Sequence, residues 1–264
     1  MADSKIEWCD KVWNPVTGCS PVSPGCQNCY ASRMAKRLRG RFGYPKERPF
    51  TVMERFHRVD EPYRWLKPRR IFVCSMGDLF HKDVSEKFIL NVLVTAASIH
   101  WHTFQFLTKR PSRMLDVFRK LHASGRLGPA KTNHFWLGAS IEDQERADER
   151  IGYVLRCPAA VRIVSIEPML GPVELQEPDP IGRSRNFLGC QCGGNVCSTA
   201  TALGWVICGA ETGPGARPME LDWARAVRDQ CKAADVPFFF KSAGPGIETP
   251  PDLQIRQFPE ACHA

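Results

Sequence analysis

The chain of 264 residues has no run of about 18 apolar residues, so none of its segments reads as a membrane span. Met1 to Cys9 lack the apolar core of a secretory signal, and a cytoplasmic protein is expected. No internal repeat is present, and the seven histidines nowhere show metal-ligand spacing such as H-x3-H. A metallohydrolase built on Asp78, His81 and Glu167 is therefore the weakest of the functional readings. With 43% hydrophobic and 24% charged residues, wholesale disorder is excluded as well. The length favours a single domain, residues 1–264, able to bury a large core.

What the chain does have is cysteine, 12 in all, and a net charge of +8. In a reducing compartment such thiols do not form a disulfide framework, so each is a buried side chain or a metal ligand. The charge is local. Thirteen Lys and Arg face four Asp and Glu between Tyr30 and Val73, while the remaining residues are nearly balanced, 23 against 24.

Short apolar runs recur at Ile71–Cys74, Phe104–Leu107, Phe135–Ala139, Val161–Ile166, Trp205–Cys208 and Val236–Phe240. Each has strand length and almost no polar alternation, as in parallel strands buried on both faces. Helical patterns lie between them, at Val84–Ile99, Arg113–Ala123, Glu142–Leu155 and Leu221–Ala234. A weaker unit precedes them, with a strand over Lys11–Thr17 and a helix over Gln27–Leu38. About seven strands alternating with helices predict an α/β fold of mostly parallel strands, an open or partial (β/α) barrel of TIM-like type, with a closed barrel or a doubly wound sheet as the alternatives. Two stretches interrupt the pattern: a basic irregular segment at 40–70, and a Cys-rich insertion at 177–203.

In such folds the site lies at the carboxyl ends of the strands. The residues found there are Ser75-Met76-Gly77-Asp78, Thr108-Lys109-Arg110, Ser140-Ile141-Glu142, Ser165-Ile166-Glu167, Gly209-Ala210-Glu211 and Lys241-Ser242. Small, hydroxyl and charged types dominate, as a binding rim requires and as any solvent-facing strand end also allows.

The sharpest local signal is Cys19, Cys26 and Cys29, spaced C-x6-C-x2-C. Cys26 and Cys29 stand three apart at the start of the predicted helix, and Cys19 ends a loop that can fold back toward them. Three converging thiolates can hold a 4Fe–4S cluster with one open iron, or zinc with a fourth ligand such as Cys9 or a histidine. The alternative is three unliganded thiols. Cys190, Cys192 and Cys197 form a second candidate metal site in the insertion, against the reading of a loop with exposed thiols. Cys74 reads as core and Cys208 as part of a strand.

The basic segment interleaves Arg33, Lys36, Arg37, Arg39, Arg41, Lys46 and Arg48 with Phe42, Tyr44 and Phe50. Cations and aromatics in alternation suit a nucleic-acid backbone and its stacked bases, against the simpler reading of a solvated basic face. Arg37, Arg39, Arg41 and Arg48 are the candidate contacts.

Several stretches resemble a known family: Trp13-Asn14-Pro15 leading into Gly18-Cys19, Pro24-Gly25-Cys26 with Cys29-Tyr30-Ala31, Ser75 to His81, Leu107 to Pro111, Trp136 to Glu142, Ser165 to Pro168, Gly209 to Gly213 and Phe238 to Lys241. The chain resembles a phage-associated family of unknown function described as radical-S-adenosylmethionine-like with a three-cysteine motif. The resemblance implies a partial α/β barrel, a 4Fe–4S cluster held by Cys19, Cys26 and Cys29, S-adenosylmethionine and an electron donor. It places Ser75, Met76, Gly77 and Asp78 near the methionine amino group, and Ser140 and Glu142 near the ribose or carboxylate. Lys109, Arg110, Glu167, Glu211 and Lys241 are then the expected cavity residues, with Lys109, Glu167, Glu211 and Lys241 as candidate catalytic groups. The six-residue first gap departs from the usual three, and Asn28 replaces the aromatic usually found before the last cysteine.

Overall fold

The computed structural model describes residues 4, 6–176, 186–188 and 202–260. In chain order the elements are β1 (Lys11–Trp13), β2 (Val16–Thr17), α1 (Tyr30–Arg37), β3 (Met53–Glu54), β4 (Arg70–Val73), α2 (Glu86–Ser98) and β5 (Thr103–Thr108). There follow α3 (Pro111–Ala123), β6 (Phe135–Ile141), α4 (Gln144–Leu155), β7 (Val161–Ile166), β8 (Trp205–Cys208), α5 (Leu221–Ala233) and β9 (Phe238–Phe240). Short 3-10 turns connect them. No helix among the described residues is long and apolar enough to cross a membrane.

Seven strands form one sheet in the order β1-β4-β5-β6-β7-β8-β9. The described registers of β1 with β4, β4 with β5, β7 with β8 and β8 with β9 are all parallel. Among the described residues the order never reverses, so they contain no switch point of a doubly wound sheet, and the topology is the open, half-barrel form of a (β/α) barrel. The strands have the composition this requires. Every residue of β8 and β9 is buried, and six of the seven in β6 are.

The chain packs as two compact units, Met1–Gly138 with Pro158–Ala160, and Ala139–Cys157 with Val161–Ala264. The core of the first is aromatic. Phe104 meets Trp13 and Phe135 at ring separations of 5.8 and 6.1 Å, and Phe106 lies 5.2 Å from Phe135. In the second, Trp205, Phe239 and Phe258 stack edge to face or tilted.

Local signals place the helices. Ser85 caps α2 by accepting from the Phe88 amide at 3.2 Å, and Asp143 caps α4 by accepting from the Arg146 amide at 2.9 Å. Pro111 opens α3, where the missing N–H costs nothing.

Two sequence expectations are corrected. The strand expected over Lys11–Thr17 breaks at Asn14-Pro15. Lys11–Trp13 stays in the main sheet, while Val16–Thr17 turns to pair antiparallel with Met53–Glu54 inside the basic segment. The helix expected from Gln27 begins at Tyr30, because Pro24 and Gly25 start a 3-10 turn that spends residues up to Cys26. Cys26 and Cys29 therefore do not share a helix face. Cys190, Cys192 and Cys197 of the insertion lie outside the described residues.

Candidate functional site

The first unit builds its site by bringing two backbones into contact. Gly18 and Gly77 form a parallel bridge, and the Gly18 amide donates to Met76 O at 2.8 Å. Neither position admits a side chain. A Cβ on Gly18, at φ +85°, would lie 2.0 Å from Thr51 O, and one on Gly77 would lie 2.9 Å from Gly18 O. This contact sets Cys19, just after Gly18, beside the turn that follows β4.

That turn is organised by Asp78, which is buried. Its carboxylate accepts from Thr108 Oγ1 at 2.8 and 2.9 Å, from the Phe80 amide at 2.9 Å and from Arg110 Nη1 at 2.9 Å. Arg110, largely sheltered, spends its other donors on the cysteine loop. Nη1 reaches Cys19 Sγ at 3.4 Å, and Nη2 reaches Ser20 O at 2.9 Å and Ser20 Oγ at 3.2 Å. Arg110 thus bridges the carboxylate and the thiol. Burial and then the Asp78 charge push the Cys19 thiol up to about 11, against the pull of the guanidinium.

Ser20 Oγ also lies 2.7 Å from His81 Nε2. The ring's Nδ1 accepts from the Asp83 amide at 3.1 Å, so the neutral ring carries its proton on Nε2 and donates to Ser20. Burial, followed by the Arg110 charge, holds the His81 pKa below its ordinary value. Arg113 of α3 fixes the same turn by donating to the carbonyls of His81 and Val84.

The other cysteines ride on α1. Cys29 occupies its N-cap without making a side-chain cap, and packs partly against a cluster of Ala31, Ala35, Tyr44 and Met76. Cys26 Sγ lies 4.0 Å from Ser23 Oγ. All three thiols are half-buried and outside any disulfide, whereas Cys9, Cys74, Cys157, Cys208 and Cys231 are buried. Cys9 bonds Ser4 Oγ at 3.3 Å.

The donor set fits a thiolate-bound metal: three accessible sulfurs, one already facing a cation. The sulfurs are not drawn to one point, since among the described residues no group of three or more His, Cys, Asp or Glu is placed to hold a metal ion. Coordination would have to pull Cys26 and Cys29 toward the anchored Cys19.

Of the residues expected around the methionine, Met76 packs under α1, Ser75 Oγ donates to Asn14 Oδ1 at 3.3 Å, and Asp78 is committed as described. Lys109 is half-buried. Ser20 and Asn14 were not legible as site residues, because Ser20 depends on where the Gly18–Gly77 contact brings the chain and Asn14 on the pairing of β1 with β4.

In the second unit each expected carboxylate has a cation of its own. Glu142, fully buried, accepts from Arg150 Nη1 at 3.1 Å, and the same nitrogen donates to Ser140 O at 2.7 Å. Glu167 pairs with Lys241. Glu211 takes a three-point contact from Arg217: the backbone amide and Nε at 2.9 Å to Oε2, and Nη2 at 2.6 Å to Oε1. Asp78, His81 and Glu167, the set a metallohydrolase would use, are thus each engaged elsewhere.

In the basic segment, Arg37, Arg39, Arg41 and Arg48 are exposed, as is Phe42, but Tyr44 is core and Phe50 is half-buried. Only one of the three interleaved aromatics is therefore presented to solvent.

Neither the curated proteins nor the solved structures contain a significant match to this chain. A family model described as "Protein of unknown function (DUF5131)" matches residues 3–252, nearly the whole length, and the chain belongs to that family.

Proposed function

We propose that this chain is a radical S-adenosylmethionine enzyme in which Cys19, Cys26 and Cys29 hold a 4Fe–4S cluster, and that its substrate is a nucleic acid. The observation that carries the reading is the anchoring of Cys19. A half-buried thiol is fixed to the strand-end turn by two glycines and faces a guanidinium that Asp78 and Thr108 hold in place. A structural thiol needs no such support. The sequence resemblance, carried by stretches along nearly the whole chain, points the same way, although the six-residue first gap and Asn28 depart from the usual radical-enzyme motif.

Cys19, Cys26 and Cys29 would hold the cluster, which would supply the electron for reductive C–S cleavage of S-adenosylmethionine. The chain's own residues orient and shield. Arg110 donates toward Cys19 Sγ, which opposes the upward push of burial on the thiol and would tune the sulfur once ligated. Asp78 keeps Arg110 aimed, and Met76 packs the strand-end turn against the helix that carries Cys29. Ser75, Gly77, Ser140 and Glu142 remain the proposed cofactor contacts. Lys109, Glu167, Glu211 and Lys241 remain the proposed catalytic groups; the last three would exchange their present partners for ligand. An electron donor is required.

A second reading is a zinc-stapled nucleic-acid-binding protein without catalysis. The run of exposed cations along and after α1, the helix that Cys29 caps, favours it. Anaerobic purification separates the two. Iron, sulfide and a brown colour, followed by 5′-deoxyadenosine on reduction with S-adenosylmethionine, are expected. Zinc bound at the three thiols supports the second reading. A well-formed cluster that never yields 5′-deoxyadenosine overturns the first.

A further inference from the structure

The turn that follows α1 holds a bulky side chain in a costly backbone conformation. Phe42 sits at φ +50°, a region such residues rarely enter, and its ring is 72% exposed. One exposed phenylalanine needs no explanation by itself. Here the surroundings enforce the display. The Gly40 amide donates to Tyr44 O at 2.8 Å, the Tyr44 amide to Arg41 O at 2.9 Å and the Arg41 amide to Leu38 O at 2.9 Å. Tyr44 is buried against Ala31, Ala35 and Met76, with the Arg55 guanidinium 5.4 Å from its ring centre. Gly43, at φ +79°, leaves room for Arg55, whose Nη1 would lie 2.3 Å from a Cβ there. The turn is pinned at both ends, and its tip points an apolar ring at water.

Cations surround that tip in sequence. Lys36, Arg37, Arg39, Arg41, Lys46 and Arg48 are all exposed, and among the described residues none of their side chains makes an ion pair. Several arginines elsewhere are paired, Arg217 with Glu211, Arg225 with Asp222 and Asp252, and Arg228 with Asp229 and Asp252, whereas this turn gathers six cations unpaired among the described residues within thirteen positions. Charges left without acids beside a rigidly presented ring suit a polyanion with flat, apolar faces.

We propose that this turn is a contact for single-stranded nucleic acid, with Phe42 stacking on an unpaired base and Arg37, Arg39, Arg41 and Arg48 holding phosphates. A single strand is the occupant favoured, because a lone ring at the tip of a tight turn can cover a splayed base, whereas a duplex hides its base faces. The inference deepens the nucleic-acid part of the reading above, and binding requires no radical chemistry. If the enzyme reaction fails while binding holds, only the enzymatic reading falls.

The test is fluorescence anisotropy of the purified full chain with a labelled single-stranded oligonucleotide, its duplex, and vesicles of phosphatidylserine and phosphatidylcholine. Phe42→Ala is expected to weaken single-strand binding about 5- to 150-fold, the range that stacking of one base is worth, with the salt slope unchanged. Phe42→Trp should retain binding. Arg39→Gln with Arg41→Gln should lower the salt slope by roughly 1.4, or about 0.7 for each phosphate lost. All these positions are exposed, and unchanged circular-dichroism melts would show that each variant folds. Wild-type affinity in Phe42→Ala overturns the proposal. Preference for the duplex, or binding to vesicles in place of oligonucleotide, overturns it too.

Discussion

Gly18 shows how much of the site depends on an absent side chain. A methyl group there meets the Thr51 carbonyl at 2.0 Å and forces an L-residue to φ +85°. Gly18→Ala is therefore expected to cost more than about 2 kcal/mol, from strain and displaced backbone together. Urea unfolding would measure this, and a loss within error of zero would show that the Gly18–Gly77 contact is dispensable. At this scale the sequence was legible where chemistry is carried by residue type and illegible where it is carried by approach. The spacing of Cys19, Cys26 and Cys29 marked them as candidates. Nothing local marked Ser20, which becomes a partner of Arg110 and His81 only once the glycines meet. Asp78 and Arg110 could be read as polar rim residues, but not as partners of each other.

Among the elements, the strands were the most legible, because burial on both faces leaves a continuous apolar run. The strands β6 to β9 lie where such runs predict. The first strand and first helix were not, because Pro15 and Pro24 break elements that apolar content alone would continue. Helix α4 carries a further lesson. Its Arg150 and the Glu142 beyond β6 are 2% and 0% exposed in their side chains, so their 3.1 Å contact is made away from water, while Arg150 Nε also lies 3.6 Å from Glu149. Arg150→Ala removes the guanidinium that donates to this buried carboxylate, and a loss of about 3–5 kcal/mol is expected. Comparing Arg150→Ala with the double variant Arg150→Met, Glu142→Leu checks the cause. The double variant should recover much of the loss, and a double variant as unstable as the single would count against charge burial.

Across the whole molecule, acid should be destabilising. His81, His102 and His134 are held below their ordinary pKa, in each case chiefly by burial. The unfolded chain therefore takes up protons that the folded one refuses. Their contribution to stability is complete above about 6.5 and is lost as pH falls through that value toward the folded pKa of each ring. Denaturant midpoints at about pH 7.5 and pH 5.5 should differ in that direction, and equal midpoints would refute the linkage. At the same scale, the basic excess noted in composition belongs to one stretch of chain, where most of the exposed cations after Cys29 lack acidic partners among the described residues.

The meeting of Gly18 with Gly77 has a consequence for how the cysteine motif can vary. Cys19 is moored to the sheet through main chain, while Cys29 travels with α1, so the residues between them act as a tether rather than a frame. Residues added to or removed from Pro21 to Gly25 would change where Cys26 arrives without moving the first sulfur. The long first gap of this motif is then slack in a line whose mooring is fixed.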